Sequence, residues 1–180
     1  AGVAGLTRAR KVTASEKDSI AITTLGATGH AGSQIATSLI ELGYEPTVFH
    51  ANGYGGAAFT RFIEEGHAAG VIDLNVHELG RINIAGAHVD MPTRFTAAAG
   101  LPLVALPGAL NFIGCGELMT LNAEYLSRPH YRHTNQFTHV KLTEAEMASQ
   151  AEGWAVLLNA SIAPCHVIIP MGGFSHEDRI

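Results

Sequence analysis

Short apolar runs alternate with amphipathic stretches along the first half of the chain. β-branched or apolar runs at Ile20–Leu25, Thr47–His50 and Val71–Leu74 predict strands. Between them, Ser33–Leu42 and Ala57–Glu65 place their apolar residues at helical spacing. Short apolar strands that alternate with helices are typical of a parallel sheet covered on both faces. We therefore predict an α/β fold, a Rossmann-like three-layer sandwich with a mostly parallel sheet.

The second half of the chain is less regular. A helix-like stretch at Thr93–Ala99 precedes an apolar run at Leu101–Leu106, which predicts a strand. Residues 111–140 are rich in His and Asn without clear periodicity, which predicts a long excursion over the surface. A capping box at Thr143–Glu146 with an apolar stripe behind it predicts a helix. Cys165–Ile169 predicts a final buried strand.

The domain organisation follows from length, polarity and charge. Residues 1–18 are polar and aperiodic, which predicts a linker from a missing N-terminal lobe. Residues 19–180 are expected to form a single α/β domain, the C-terminal lobe of a longer chain. Charged residues make up only 15% of the chain. So low a fraction is typical of a surface that another domain or subunit covers, and we expect a homodimer.

Net charge and cysteine content exclude several classes of protein. The net charge is −5 and the pI is near 6.0, so there is no general attraction to nucleic acid or to anionic membranes. No apolar run reaches membrane-spanning length. Cys115 and Cys165 lie far apart without a CxxC motif, which favours a reducing compartment. We predict a cytoplasmic protein.

The loop Gly26–Gly32 has the spacing of a dinucleotide fingerprint between a strand and a helix. Glycines let the backbone approach a pyrophosphate, and the helix N-terminus offers free N–H groups. The second strand, however, ends at His50–Asn52, without an acid for the ribose or a basic substitute for NADP. No P-loop lysine is present either. An NAD(P)-dependent reductase stays an alternative, and so does a tight turn that only needs glycine.

A second glycine-rich loop, His50–Gly56, follows the second strand. Right-handed crossovers place such loops on one edge of the sheet, and Asp73 ends the third strand at that edge. A carboxylate there can orient a hydroxyl or hold Mg²⁺ through water, or it can cap a helix. We predict a ligand-binding rim at this edge. Its members are Thr28, Gly29, His30, Gly32, Ser33, His50, Asn52, Gly53, Gly55, Gly56, Asp73 and Gly108.

The ten histidines form no recognisable metal motif. His130 and His133 are three residues apart, but neither a Cys pair nor HExxH accompanies them, so no metal site is predicted. Cys115 has glycine neighbours but no base that can be named, so no catalytic residue is predicted and enzyme activity stays open. Four further residues can supply metal ligands only if the fold gathers them: Asp73, His77, Glu78 and Asp90.

Six ordered segments carry a resemblance to a known family. They are TTLGATGHAG, VFHANGYGG, GVIDLNVHEL, LPLVALPGALNF, RHTNQFTHVKLTEAEM and VIIPMGGFSHED. Over residues 19–178 the chain resembles the second lobe of the Tm-one-like ATP-binding family. The resemblance implies a two-lobed protein that binds nucleotide mainly in its first lobe, with ATP and Mg²⁺ as cofactors of the full-length protein. It supplies no catalytic residues.

Two functions follow as expectations. The first is a ligand-binding lobe that holds a nucleotide or a small anionic metabolite on its glycine-rich loops. The alternative is a non-enzymatic protein-interaction module, in which residues 111–140 contact another protein.

Overall fold

The computed structural model of the chain describes residues 18–52, 54–85 and 91–179. Its strands, in chain order, are β1 (Ser19–Thr24), β2 (Glu45–His50), β3 (Gly70–Asp73), β4 (Leu103–Ala105), β5 (Phe112–Cys115), β6 (His130–Thr134), β7 (Phe137–Lys141) and β8 (Cys165–Val167). Its α-helices are α1 (Gly29–Glu41), α2 (Tyr54–Glu64), α3 (His77–Asn83), α4 (Met91–Ala98), α5 (Ala123–Ser127) and α6 (Glu144–Asn159). Three 3₁₀ turns occur at Gly26–Thr28, Leu118–Thr120 and His176–Arg179.

Five strands form a parallel sheet in the order β2-β1-β3-β4-β8. Within the sheet, β2 lies next to one edge of β1 and β3 lies next to the other edge, so the strand order reverses between β1 and β3. In open α/β sheets such a reversal leaves a crevice at the carboxyl ends of the strands, where ligands bind. The parallel sheet with its helices confirms the predicted α/β, Rossmann-like architecture.

The main hydrophobic core lies between one face of the sheet and helices α2, α4 and α6. Its members include Ala21, Val71 and Leu103 from the strands and Phe59, Ile63, Phe95, Trp154 and Leu158 from the helices. Successive strand residues point to opposite faces of a sheet. Ile20, Ile72 and Val104 therefore face the other side, where they line an open groove with Leu39 of α1.

Residues 112–141 contain a second, antiparallel sheet of order β5-β7-β6. The predicted surface excursion over residues 111–140 therefore contains regular strands that the sequence did not predict, although all five residues of β6 are exposed. In β7 the buried positions are Thr138 and Val140, which alternate with half-buried His139. Because Thr and His occupy strand positions that are usually apolar, the alternation escapes a search for apolar periodicity. Val140 packs with Ile113 and Leu142 in a small core of its own.

The capping box at the start of α6 is confirmed. Glu146 N donates to Thr143 Oγ1 at 3.2 Å, and Thr143 N donates to Glu146 Oε2 at 2.8 Å. Helix α3 was not predicted, because its seven residues hold too few apolar positions to show a period. The final strand was predicted to be buried, but β8 is an edge strand whose His166 and Val167 are exposed.

The predicted linker over residues 1–18 lies, apart from residue 18, outside the described residues. Among the helices that the structure describes, none combines the length and apolarity that a membrane span requires.

Candidate functional site

A cleft of about 260 Å³ opens at the carboxyl edge of the parallel sheet. The segment 25–27, directly after β1, lines it together with His50 and Asn52 after β2. His77, at the start of α3, reaches it from the segment after β3. Loops that follow three neighbouring strands thus converge on one cavity, at the reversal of strand order.

The β6–β7 hairpin also lines the cleft. Phe137 and His139 lie on one face of β7 and line the cavity. The pairing of β6 with β7 shifts register between Arg132 and Thr134, which places His133 at a β-bulge. β-bulges redirect side chains and are common beside functional sites. The ring of His133 stacks on that of His139, with centroids 4.7 Å apart and planes inclined by 14°.

The last 3₁₀ turn brings a carboxylate to the two histidines. Glu177 is only 1% exposed, and its Oε1 lies 2.9 Å from His139 Nδ1 and 3.6 Å from His176 Nε2. Its Oε2 is buried and has no hydrogen-bond partner in the part of the chain that the structure describes. His133, His139 and Glu177 each offer one potential metal-ligand atom within 4.8 Å of the others.

Hydrogen bonds hold this last turn in place. Lys141 Nζ donates to the main-chain oxygen of Glu177 at 2.6 Å. Asp178 Oδ2 accepts from Phe174 N at 2.5 Å, and Asp178 Oδ1 accepts from Asn111 Nδ2 at 2.6 Å. The turn is therefore tied to β7 through Lys141 and to the segment before β5 through Asn111, which holds the Glu177 carboxylate in position.

Burial keeps two cleft imidazoles neutral. His77 is 4% exposed, and its Nδ1 lies 3.2 Å from the main-chain oxygen of Phe112. Burial lowers the pKa of His77 to about 4. Burial also lowers the pKa of His139, against the opposing influence of Glu177. A neutral imidazole keeps a free nitrogen lone pair, which can accept a hydrogen bond or bind a metal.

Asp73, predicted to orient a ligand, belongs to a buried ionic cluster. It is 3% exposed, and its Oδ1 accepts a hydrogen bond from Thr23 Oγ1 at 2.6 Å. Arg94 Nε lies 3.5 Å from Asp73 Oδ2, and Arg94 Nη1 lies 3.5 Å from Glu78 Oε2. Arg94 is 0% exposed and also donates to the main-chain oxygen of Asn75. Asp73 does not line the cleft. Its carboxylate oxygens interact instead with the buried side chains of Thr23 and Arg94.

Comparison with known proteins places the chain in a family. Residues 17–180 match the model of the uncharacterised protein family (UPF0261) C-terminal domain. The chain belongs to the UPF0261 family.

Three relatives show how far the similarity extends. A UPF0261 protein of Clostridium tetani is 33% identical over 166 residues, which cover 91% of this chain and 41% of the relative. A UPF0261 protein of Mesorhizobium japonicum is 31% identical over 164 residues, 90% of this chain and 41% of the relative. The ToMV resistance protein Tm-1 of Solanum lycopersicum is 29% identical over 164 residues, 90% of this chain and 22% of the relative.

The predicted resemblance to a Tm-one-like second lobe is thereby confirmed. The chain spans less than half the length of these curated UPF0261 relatives.

Two of the predicted ligand glycines in this UPF0261 domain are required by the backbone. A Cβ on Gly55 would lie 1.8 Å from the main-chain oxygen of His50. A Cβ on Gly108 would lie 2.0 Å from the main-chain oxygen of Leu74. In each case the glycine lies too close to the main chain of another segment for a side chain to fit, so packing alone accounts for these glycines.

Of the other predicted rim residues, His50 and Asn52 line the cleft. Several lie in or beside helices without lining it: Thr28, Gly29, His30, Gly32, Ser33 and Gly56. Gly53 lies outside the described residues. The roles proposed for all of these residues in ligand binding stay predictions.

Sequence reasoning missed the His133, His139 and Glu177 cluster. The polar alternation in β7 was the available signal for His139, but nothing local pairs it with Glu177, 38 residues away. Arg81 was also missed; its Nη1 donates to Asn52 Oδ1 at 2.6 Å and thereby restrains the side chain of a residue that lines the cleft. Burial raises the pKa of the Cys115 thiol, which disfavours the thiolate that a nucleophile needs.

Proposed function

We propose that this UPF0261 domain is a ligand-binding lobe that holds a small anionic metabolite in the cleft. The observation that carries the proposal is the position of the cleft, where loops after β1, β2 and β3 meet at the reversal of strand order. Polar groups from separate segments converge there, since His50 and Asn52 line the cavity together with His133 and His139.

The chemistry of the lining favours a small ligand over a nucleoside triphosphate. Ligand pockets for drug-sized molecules measure roughly 300–1,000 Å³, and this cleft measures about 260 Å³. Among the described residues that line it there is no Lys or Arg to balance a triphosphate. Glu177 is the one carboxylate among them, whereas Mg²⁺ sites are built from oxygen ligands. The cleft therefore does not fit ATP with Mg²⁺, which we assign to the remainder of the full-length protein.

Gly26 offers a way to block the cleft without disturbing the fold. It lines the cavity, and a Cβ built on it meets no atom within 4 Å. The variant Gly26→Leu should therefore fold normally and fill part of the cavity. Gly153→Leu is the matched control, because Gly153 also has open space at its Cβ but lies in α6, away from the cleft.

Calorimetric titration with inorganic phosphate, malonate and Mg²⁺-ATP tests the proposal. We expect phosphate or malonate to bind the wild-type chain, and Gly26→Leu to weaken that binding by about tenfold or more, or about 1.4 kcal/mol. Gly153→Leu should bind like the wild type. If neither small anion binds, or if Gly26→Leu binds as tightly as the wild type, the cleft is not the ligand site.

A second candidate function is protein interaction through the outer face of the main sheet. Ile20, Ile72 and Val104 line an open groove of about 480 Å³ on that face. An apolar groove on a domain with few charges is typical of a surface that a partner or second copy covers. Sedimentation of the chain across a dilution series tests this candidate, and a monomer at every concentration would exclude the homodimer.

A further inference from the structure

We propose that the cleft holds a divalent transition metal ion such as Zn²⁺, bound by His133, His139 and Glu177. The biological use of the metal rests on the proposed function, since both share the cleft, but the ligands can be tested with metal alone. Two imidazoles and one carboxylate are a ligand set that Zn²⁺ accepts. Mg²⁺ and Ca²⁺, in contrast, are bound through oxygen atoms.

The three ligands come from three separate segments that converge. His133 lies at the bulge of β6, His139 in the middle of β7, and Glu177 in the last 3₁₀ turn. Their ligand atoms already lie within 4.8 Å of one another. A tetrahedral ion with bonds of about 2.1 Å spaces its ligand atoms about 3.4 Å apart. His133 is exposed, so its side chain has room to rotate towards that spacing.

The Glu177 carboxylate is the independent sign of a missing cation. Its side chain is 2% exposed, and its Oε2 has no hydrogen-bond partner among the described residues. Lys141 does not donate to this carboxylate but to the main-chain oxygen of the same residue. A buried polar atom without a partner is destabilising, and more so when it is charged. A metal ion at this place would remove that cost.

Neighbouring groups hold the ligands ready. The ring of His139 lies between the rings of Phe112 and His133, at centroid distances of 4.4 Å and 4.7 Å. The hydrogen bond from Lys141 fixes the turn that carries Glu177. Metal sites depend on such supporting contacts, because they orient the ligands before the ion arrives.

Three protein ligands leave one position of a tetrahedral ion open. Zinc sites with two His and one Glu keep that position for water or substrate. Here all three ligands line the cleft, so the open position faces the cavity. The ion would supply the positive charge that the lining otherwise lacks, and a small anion would bind to it directly. We therefore expect Zn²⁺ to strengthen anion binding.

Titration of the EDTA-treated and dialysed chain with ZnCl₂ by calorimetry tests the site. We expect one Zn²⁺ per chain, bound with micromolar or lower Kd. His133→Ala and Glu177→Gln should each weaken binding by about tenfold or more. His133 is exposed, so its removal should leave the fold intact. His130→Ala is the matched control, because His130 is equally exposed on the same strand but outside the cluster, and it should bind like the wild type.

The outcomes separate the metal site from the proposed function. Absent stoichiometric binding, or equal affinity in the wild type, His133→Ala and Glu177→Gln, would overturn the metal site. If phosphate or malonate binds the metal-free chain and Gly26→Leu abolishes that binding, the ligand cleft stands whatever Zn²⁺ does. If Zn²⁺ binds as expected but no anion binds with or without it, the metal site stands and the proposed function fails.

Discussion

Two carboxylate clusters lie near the carboxyl edge of the sheet, and their surroundings differ. Asp73 and Glu78 share the guanidinium of Arg94, which is wholly buried between them. Glu177 is equally buried, but its carboxylate lies within ion-pair distance only of imidazoles among the described residues. A permanent cation completes the first cluster, whereas the described residues place no Lys or Arg within ion-pair distance of the Glu177 carboxylate. The charges around a carboxylate, more than its place at a strand end, distinguish a structural group from a ligand-binding one.

The largest expected effect on the free energy of unfolding comes from removing Arg94, the cation of the Asp73 and Glu78 cluster. Arg94→Met leaves two carboxylates buried without their counter-ion, and it should lower the free energy of unfolding by about 3–5 kcal/mol. Urea denaturation measures the change. Arg132→Met is the control, since Arg132 is exposed and should stay within about 0.5 kcal/mol of the wild type. A loss below about 1 kcal/mol in Arg94→Met would show that the cluster is not a structural ion pair.

A pH-dependent effect is expected from His77. Its pKa is about 4 in the folded state and about 6.5 in the unfolded chain, so the unfolded chain takes up the proton first as pH falls. Stability is therefore fully present above pH 6.5 and declines towards pH 4, by about 3 kcal/mol in total. Urea denaturation at pH 7 and pH 4 should show this loss in the wild type beyond that in His77→Gln. Identical pH dependence in both would mean that His77 is not buried as a neutral imidazole.

Two glycines in the segments that follow neighbouring strands should respond differently to the same change. Gly55→Ala places a Cβ 1.8 Å from the main-chain oxygen of His50, and overpacking of this kind costs about 1–3 kcal/mol. Gly26→Ala meets open space and should leave the unfolding temperature almost unchanged. Thermal denaturation compares them. Equal unfolding temperatures would contradict the backbone explanation for Gly55.

The smallest effect on stability is expected from Glu177→Gln. In EDTA the substitution removes an unneutralised buried charge, so the free energy of unfolding should change by less than about 1 kcal/mol or rise. Urea denaturation in EDTA is the measurement. A loss above about 2 kcal/mol would place Glu177 with Asp73 among the structural carboxylates.

The parallel sheet could be predicted from the sequence because its signals are local. Ile20–Leu25 and Val71–Leu74 carry their apolar pattern within a few residues, and the structure places strands there. The antiparallel sheet could not be predicted in this way, because polar side chains occupy alternate positions of β7 and its partners lie on other segments.

The residues of the candidate site also differ in whether local sequence signals could predict them. The expectation that ligand residues follow the carboxyl ends of parallel strands identified His50 and Asn52, which line the cleft. The same expectation also selected Gly55 and Gly108 as ligand-binding residues. A glycine needed for close backbone approach has the same sequence signature as one that contacts a ligand. Glu177 could not be predicted as a site residue from the sequence. Its contact with His139 depends on the path that the chain takes after β8.

An anomalous difference map at the zinc edge, from crystals of the chain soaked in ZnCl₂, tests the metal site by locating the ion itself. We predict a peak within about 2.0–2.3 Å of a nitrogen of His133, a nitrogen of His139 and a carboxylate oxygen of Glu177. No peak is expected beside Asp73 or Glu78, where Arg94 already supplies the positive charge. Zinc bound only at other histidines, or no zinc in the cleft, would rule out a metal site at His133, His139 and Glu177.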